Sequence, residues 1–197
     1  MSIDDKLKDL EELISKIEVC LKCYNKYKNW NDKERIKLRE WCNEGPWFFP
    51  PDEESGVKGF FGIGNVIFVC QRPSTKGGKF KEHRDTLEFY KLLKKYGFQE
   101  AHITDLVKCK SSAGEIKDEE IENCFPFLEE EIRILKPKLI VAVGEKVHEV
   151  LKKKEIKDIR LKKIMHYSYA FRYKKEKKLE EEFNELAKEI EKELIKK

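Results

Sequence analysis

Four short apolar runs separated by helical patterns constrain this chain most. Asn65-Val-Ile-Phe-Val-Cys70 and Lys138-Leu-Ile-Val-Ala-Val143 are continuously apolar inside their ends rather than alternating. Residues 101–106 form a second run, interrupted by polar Thr104 and Asp105, and Lys162-Lys-Ile-Met-His166 is a weaker fourth. A strand apolar on both sides must be covered on both faces, and intervening helices supply the cover. The expected fold is therefore α/β, a three-layer α/β/α sandwich with a central parallel four-stranded sheet, formed by residues 1–197 as one domain.

The helices come from apolar spacing and stop signals. Ile3, Leu7, Leu10, Leu13, Ile14 and Ile17 predict an amphipathic helix over 3–19. A helix from Arg84 to Tyr96 turns Leu87, Tyr90, Leu92 and Leu93 inward and stops at Gly97. Another runs from Asp118, read as its N-cap, to Leu135, and Pro137 ends it. Gly144 leads into a helix at 145–153, and Leu179, Phe183, Leu186, Ile190 and Leu194 mark a last one over about 176–197. Residues 24–65 have no sustained period and read as an irregular insertion with one short helix near 32–42. Its aromatics are assigned to local packing.

In a parallel sheet, ligands bind outside the carboxyl ends of the strands. Those ends are Gln71–Ser74, Thr104–Asp105, Gly144 and His166–Ser168, so the polar groups of interest fall on one edge. Gly144 could offer backbone N–H groups to a phosphate, or serve only for close packing.

Charged residues make up 41% of the chain, mostly Lys and Glu, which fits a heat-adapted protein rich in surface ion pairs. The net charge is only +4, so nucleic-acid binding needs a local cluster of Lys and Arg. No apolar run reaches the roughly 20 residues of a membrane span. The acidic amphipathic N-terminus is unlike a signal peptide, so the expectation is a cytoplasmic monomer. Six cysteines in a reducing compartment point to metal or chemistry before disulfides. The pair Cys20-x-x-Cys23 can put two thiolates on one metal centre, with redox and structural-zinc readings both open.

Several motifs together resemble the iron–sulfur branch of the uracil-DNA glycosylase superfamily. They are Cys20-x-x-Cys23, His102-Ile-Thr-Asp-Leu-Val-Lys-Cys109, Cys124 and the tail His166-Tyr-Ser-Tyr-Ala-Phe-Arg172. Phe68-Val-Cys-Gln-Arg-Pro-Ser74 stands where that family has its water-side motif. The resemblance implies that Cys20, Cys23, Cys109 and Cys124 hold a structural four-iron four-sulfur (4Fe-4S) cluster; four thiolates suit zinc as well. It implies His166 as donor to the departing base, Gln71 on the water side, Asp105 and Phe80 as base-binding residues, and Ser168, Arg172, Arg72 and Ser74 on DNA. A basic patch of Arg72, Lys76, Lys79, Lys108, Lys110 and Arg172 is expected near the strand ends. Cys70 reads as a small buried hydrophobe.

Three positions depart from the family pattern. Gln71 replaces an acid, and an amide orients water without taking its proton. Tyr167 replaces a proline and is expected to loosen the loop. Asp105 replaces the Asn of uracil-specific members, and an ionised carboxylate would repel uracil O4. Three functions follow as expectations. One is excision of uracil or another deaminated or damaged base in DNA repair. The second is nucleic-acid binding by a non-catalytic iron–sulfur relative. The third is a zinc-stabilised nucleotide-binding domain.

Overall fold

The computed structural model describes residues 2–23, 30–42, 44–73, 80, 83–110, 116–154, 156 and 158–195. The strands are β1 (Val66–Cys70), β2 (His102–Asp105), β3 (Leu139–Val143) and β4 (Arg160–Ile164). The helices are α1 (Ile3–Glu18), α2 (Asp32–Trp41), α3 (Arg84–Lys95), α4 (Asp118–Leu135), α5 (Glu145–Lys153), α6 (Tyr167–Arg172) and α7 (Glu176–Ile195). All strand pairs are parallel, in the order β2-β1-β3-β4. This is the expected three-layer α/β/α sandwich.

Each strand residue of β1 and β3 is buried because alternate side chains enter different cores. Val66 and Phe68 face α3, α6 and α7, where Phe89, Leu93, Ala170, Leu179 and Phe183 complete one core. Ile67 and Val69 face α1, α4 and α5, where Leu10, Ile17, Leu128, Val147 and Leu151 complete the other. On α3 the buried stripe is Thr86, Phe89, Tyr90, Leu92 and Leu93, while Leu87 is only half-buried.

Three boundaries differ from the sequence expectation. Position 117 caps α4, with the Lys117 N–H donating to Glu120 Oε2 at 2.9 Å, so Asp118 is already helical. β4 lies two residues earlier than 162–166, because pairing with β3 from Leu139↔Arg160 to Val143↔Ile164 sets its register. His166 is thus beyond the strand, at the N-cap of the short helix α6. The insertion is more ordered than expected: Phe49 and Phe60 are buried, and the Trp47 N–H donates to the Lys108 carbonyl at 3.1 Å. Phe49 and Phe60 thus serve packing, whereas Trp30 is 45% exposed. Among the described residues no helix is long and apolar enough to cross a membrane.

Candidate active site and thiol site

After β1 the chain crosses to β2 on one side, and β3 connects to β4 on the other. The gap between the ends of β1 and β3 is therefore a topological switch point, where such sheets bind ligands. A cavity of about 620 Å³ opens there, lined among others by Gln71, Gly144, His166, Ser168, Tyr169 and Arg172. Four of the residues expected from sequence, Gln71, His166, Ser168 and Arg172, thus share one cavity.

The position of His166 is fixed from several sides. Its Nδ1 accepts the backbone N–H of Ser168 at 3.2 Å, so the ring caps α6. The ring stacks on Tyr167 with centroids 4.7 Å apart, and Tyr167 stacks on Phe89 at 4.6 Å. Burial pushes the imidazole pKa down to about 4, with Asp85 opposing and Arg172 adding to the fall. At neutral pH the ring is uncharged, and because Nδ1 is an acceptor the proton sits on Nε2. The arrangement gives a neutral donor held by its own helix. Gly144 faces it with φ +101°, and a Cβ there would lie 3.4 Å from His166 Cβ. Gly144 is therefore a close-packing glycine against the imidazole. The Tyr167 side chain is buried and helical, so Tyr in place of proline fixes this turn rather than loosening it.

Asp105 is 2% exposed and does not line that cavity. It is paired in register with Cys70 and points to the same side as Ile103, toward Tyr90 and Tyr167. Among the described residues neither carboxyl oxygen has a hydrogen-bond partner. Burial raises its pKa to about 8, against the pull of Lys108 and Arg72 and with the push of Glu131. At neutral pH it is therefore mostly a neutral acid. That changes the chemistry expected of it. A neutral carboxyl offers one O–H donor and one acceptor, the same pair as an Asn amide, and need not repel uracil O4.

Other expected residues stand elsewhere. Phe80 is half-buried, 5.0 Å from the Tyr90 ring, and not on the cavity wall. The Arg72 side chain is 9% exposed and pairs with Glu120 at 2.8 Å, committing it to the interior. Ser74, Lys76 and Lys79 lie outside the described residues. Lys108 is no part of a basic patch: it is 1% exposed, and its Nζ donates to Thr104 Oγ1 (2.6 Å), the Asp105 carbonyl (2.7 Å) and Glu131 Oε1 (2.7 Å). The strand end needs that bond, so the charge turns inward.

Sequence reading missed Glu131 and two tyrosines. Glu131 sits on α4 in step with Ile121, Cys124, Leu128 and Leu135, a carboxylate on an apolar stripe, which was the available signal. Tyr169 and Tyr173 are 45% and 56% exposed, pack with tilted rings 4.6 Å apart, and line the cavity mouth. Their helical spacing of four was visible only once α6 was known.

The second site gathers Cys20, Cys23, Cys109 and Cys124 around a cavity of about 60 Å³. Cys20 and Cys23 follow α1, Cys124 is on α4, and α1 packs on α4. Cys109 is held by an antiparallel bridge to Pro46. A hydrogen bond with Cys124 brings the Cys23 pKa down to about 7, and burial pushes Cys109 up to about 11. Among the described residues no three Cys, His, Asp or Glu are gathered tightly enough for a single metal ion. Four soft thiolate donors around one cavity suit an iron–sulfur cluster or a zinc ion. Cys70 is buried in the α3-side core, as expected.

A sequence profile described as the uracil DNA glycosylase superfamily matches residues 61–190. Comparison with curated protein sequences gave no match.

Proposed function

The chain belongs to the uracil DNA glycosylase superfamily, and on that premise we propose that it extrudes a base from DNA and hydrolyses its glycosidic bond. The substrate is uracil or another deaminated or damaged base. The observation that carries this reading is His166, a neutral imidazole with Nδ1 engaged and its proton on Nε2 at the wall of the switch-point cavity. Breaking the C1′–N bond leaves positive charge on the sugar and the electron pair on the base. A donor aimed at the departing base stabilises that charge as it forms. A neutral imidazole also avoids the cost of keeping a cation in a buried site. Gln71 on the same wall would orient the water that adds to the sugar, its proton leaving to solvent. Asp105 in its neutral form would pair with an adjacent donor and acceptor on the base, as uracil offers at N3–H and O4 or cytosine at N4–H and N3. Reaching it requires an opening between Tyr90 and Tyr167. Ser168, Arg172 and the exposed Tyr169 and Tyr173 would contact phosphates and stack on bases at the rim.

We further propose that Cys20, Cys23, Cys109 and Cys124 hold a four-iron four-sulfur cluster. It would supply no step of the hydrolysis and would tie α1 and the loop after β2 to α4. A second reading, nucleic-acid binding without cleavage, draws on Gln71 and on the enclosure of Asp105. The test is an excision assay on oligonucleotides carrying one uracil, hypoxanthine, xanthine or mismatch. Abasic sites formed by the wild type, and lost on the order of 10²- to 10³-fold in His166→Ala, are the expected result. Retention of lesion DNA without cleavage would establish the non-catalytic reading instead.

A further inference from the structure

We propose that Arg39 is the cationic wall of the four-cysteine site, offsetting the negative charge of a bound iron–sulfur cluster and raising its reduction potential. This rests on the cluster assignment. Arg39 comes from α2, within the stretch whose sequence has no sustained period, and it lines the same cavity as the four cysteines. It is 3% exposed, which is deep for a guanidinium. Nη1 donates to the Cys20 carbonyl at 2.6 Å and Nη2 donates to the Glu18 carbonyl, so the side chain crosses the carboxyl end of α1 just where the Cys-x-x-Cys segment begins. Both acceptors are carbonyls, which bring no formal charge. Nε is buried and has no hydrogen-bond partner among the described residues. A buried cation whose hydrogen bonds go to neutral groups is costly unless an anion lies near.

Glu44 and Glu120 line the same cavity, Glu120 being paired with Arg72, and the four thiols are where further negative charge would form. A cluster ligated by four thiolates carries net negative charge, and hydrogen bonds, charge and burial around the sulfurs set its potential. Lys108 and Lys110 also line the cavity; the charge of Lys108 is offset by Glu131 at 2.7 Å, and Lys110 is on the loop after β2 and donates its backbone N–H to the Gly45 carbonyl. Arg39 thus does two things with one side chain. It caps the α1 carbonyls, which any donor of the right shape could do, and it brings a positive charge to the sulfurs, which only a cation can.

The experiment separates those two roles. Anaerobically purified wild type, Arg39→Lys and Arg39→Gln are compared for iron and sulfide content, visible absorbance, midpoint potential and rate of cluster loss under chelator. Lys keeps the charge with fewer donors; Gln keeps donors without charge. The expected result is a more negative potential and several-fold faster cluster loss in Arg39→Gln, with Arg39→Lys close to wild type. Potentials equal in all three, whatever happens to thermal stability, would reduce Arg39 to a helix cap and overturn the proposal. Wild type without iron and sulfide would overturn the cluster assignment and this proposal with it. Cluster present with an unshifted potential overturns the proposal alone.

Discussion

The proton on Asp105 is a consequence of where β2 ends. A carboxyl sealed at 2% exposure with neither oxygen bonded among the described residues holds its proton to about pH 8, whereas the unfolded chain releases it near 3.8. Folding therefore favours the protonated form. The stability linked to this group is fully present below pH 3.8 and is lost as pH rises through 8. Asp105→Asn keeps the shape and removes the titration. Its stability in urea should lack this decline and exceed wild type at pH 9 by on the order of a few kcal/mol. An unchanged pH slope in the variant would show that Asp105 is not its source. The same pair tests base reading. Wild type should match the Asn variant on uracil well below pH 8 and fall behind above it, as ionisation removes the donor. His166 works in the opposite direction. Its depressed pKa contributes stability that is present above 6.5 and lost as pH falls toward 4.

Two turns and one helix face hold these residues in place. Gly144 joins β3 to α5 at φ +101°, a conformation that side chains rarely adopt, with His166 packed against the open side. Gly144→Ala should cost roughly 1–3 kcal/mol in strain. It should also reduce excision more than it reduces DNA binding, because it displaces the imidazole. Equal loss of both would mean general misfolding. On the other face of the sheet, Lys108 of the β2 loop and Glu131 of α4 form a buried pair, with His102 Nε2 3.5 Å from the same carboxylate. Lys108→Met alone strands a buried carboxylate and should destabilise by about 3–5 kcal/mol. Adding Glu131→Leu should return most of that loss, as measured by a double-mutant cycle in denaturant. A double variant no better than the single one would show that the two charges do not act as a pair.

At the scale of the whole molecule, the net charge is small and several cations gather at the cavity edge. Lys146, Lys163, Arg172 and Lys178 stand around the mouth of the switch-point cavity, where the exposed Tyr169 and Tyr173 also lie. Lys163 is partly offset by Glu145 at 2.5 Å. With a net charge of only +4, the proposed DNA binding would draw on this rim. Log affinity should fall linearly with log salt, and Arg172→Ala or Lys178→Ala should each lower the slope by about 1, uniformly across DNA sequences. A slope unaffected by both would put the DNA elsewhere on the surface.

The layers were legible in the chain because they rest on local rules. Continuous apolar runs can only be buried strands, and helical spacing marks the faces that cover them, so the parallel sheet and the set of polar strand ends followed directly. Gln71, His166 and Ser168 fell on that edge for that reason, while Arg172 and the roles of all four came from the resemblance to the glycosylase superfamily. What a side chain does at its strand end depends on neighbours far away in sequence, and there the sequence was silent. Lys108 turned from a surface cation into a strut because Glu131, on the next helix, offered the only arrangement that buries both. Tyr167 became a stacked core residue because Phe89 of α3 lies across from it. Asp105 kept its proton because its burial at the end of β2 outweighs the pull of Lys108 and Arg72. Burial and charge pairing are sums over contacts between distant segments, and only the tertiary structure performs that sum.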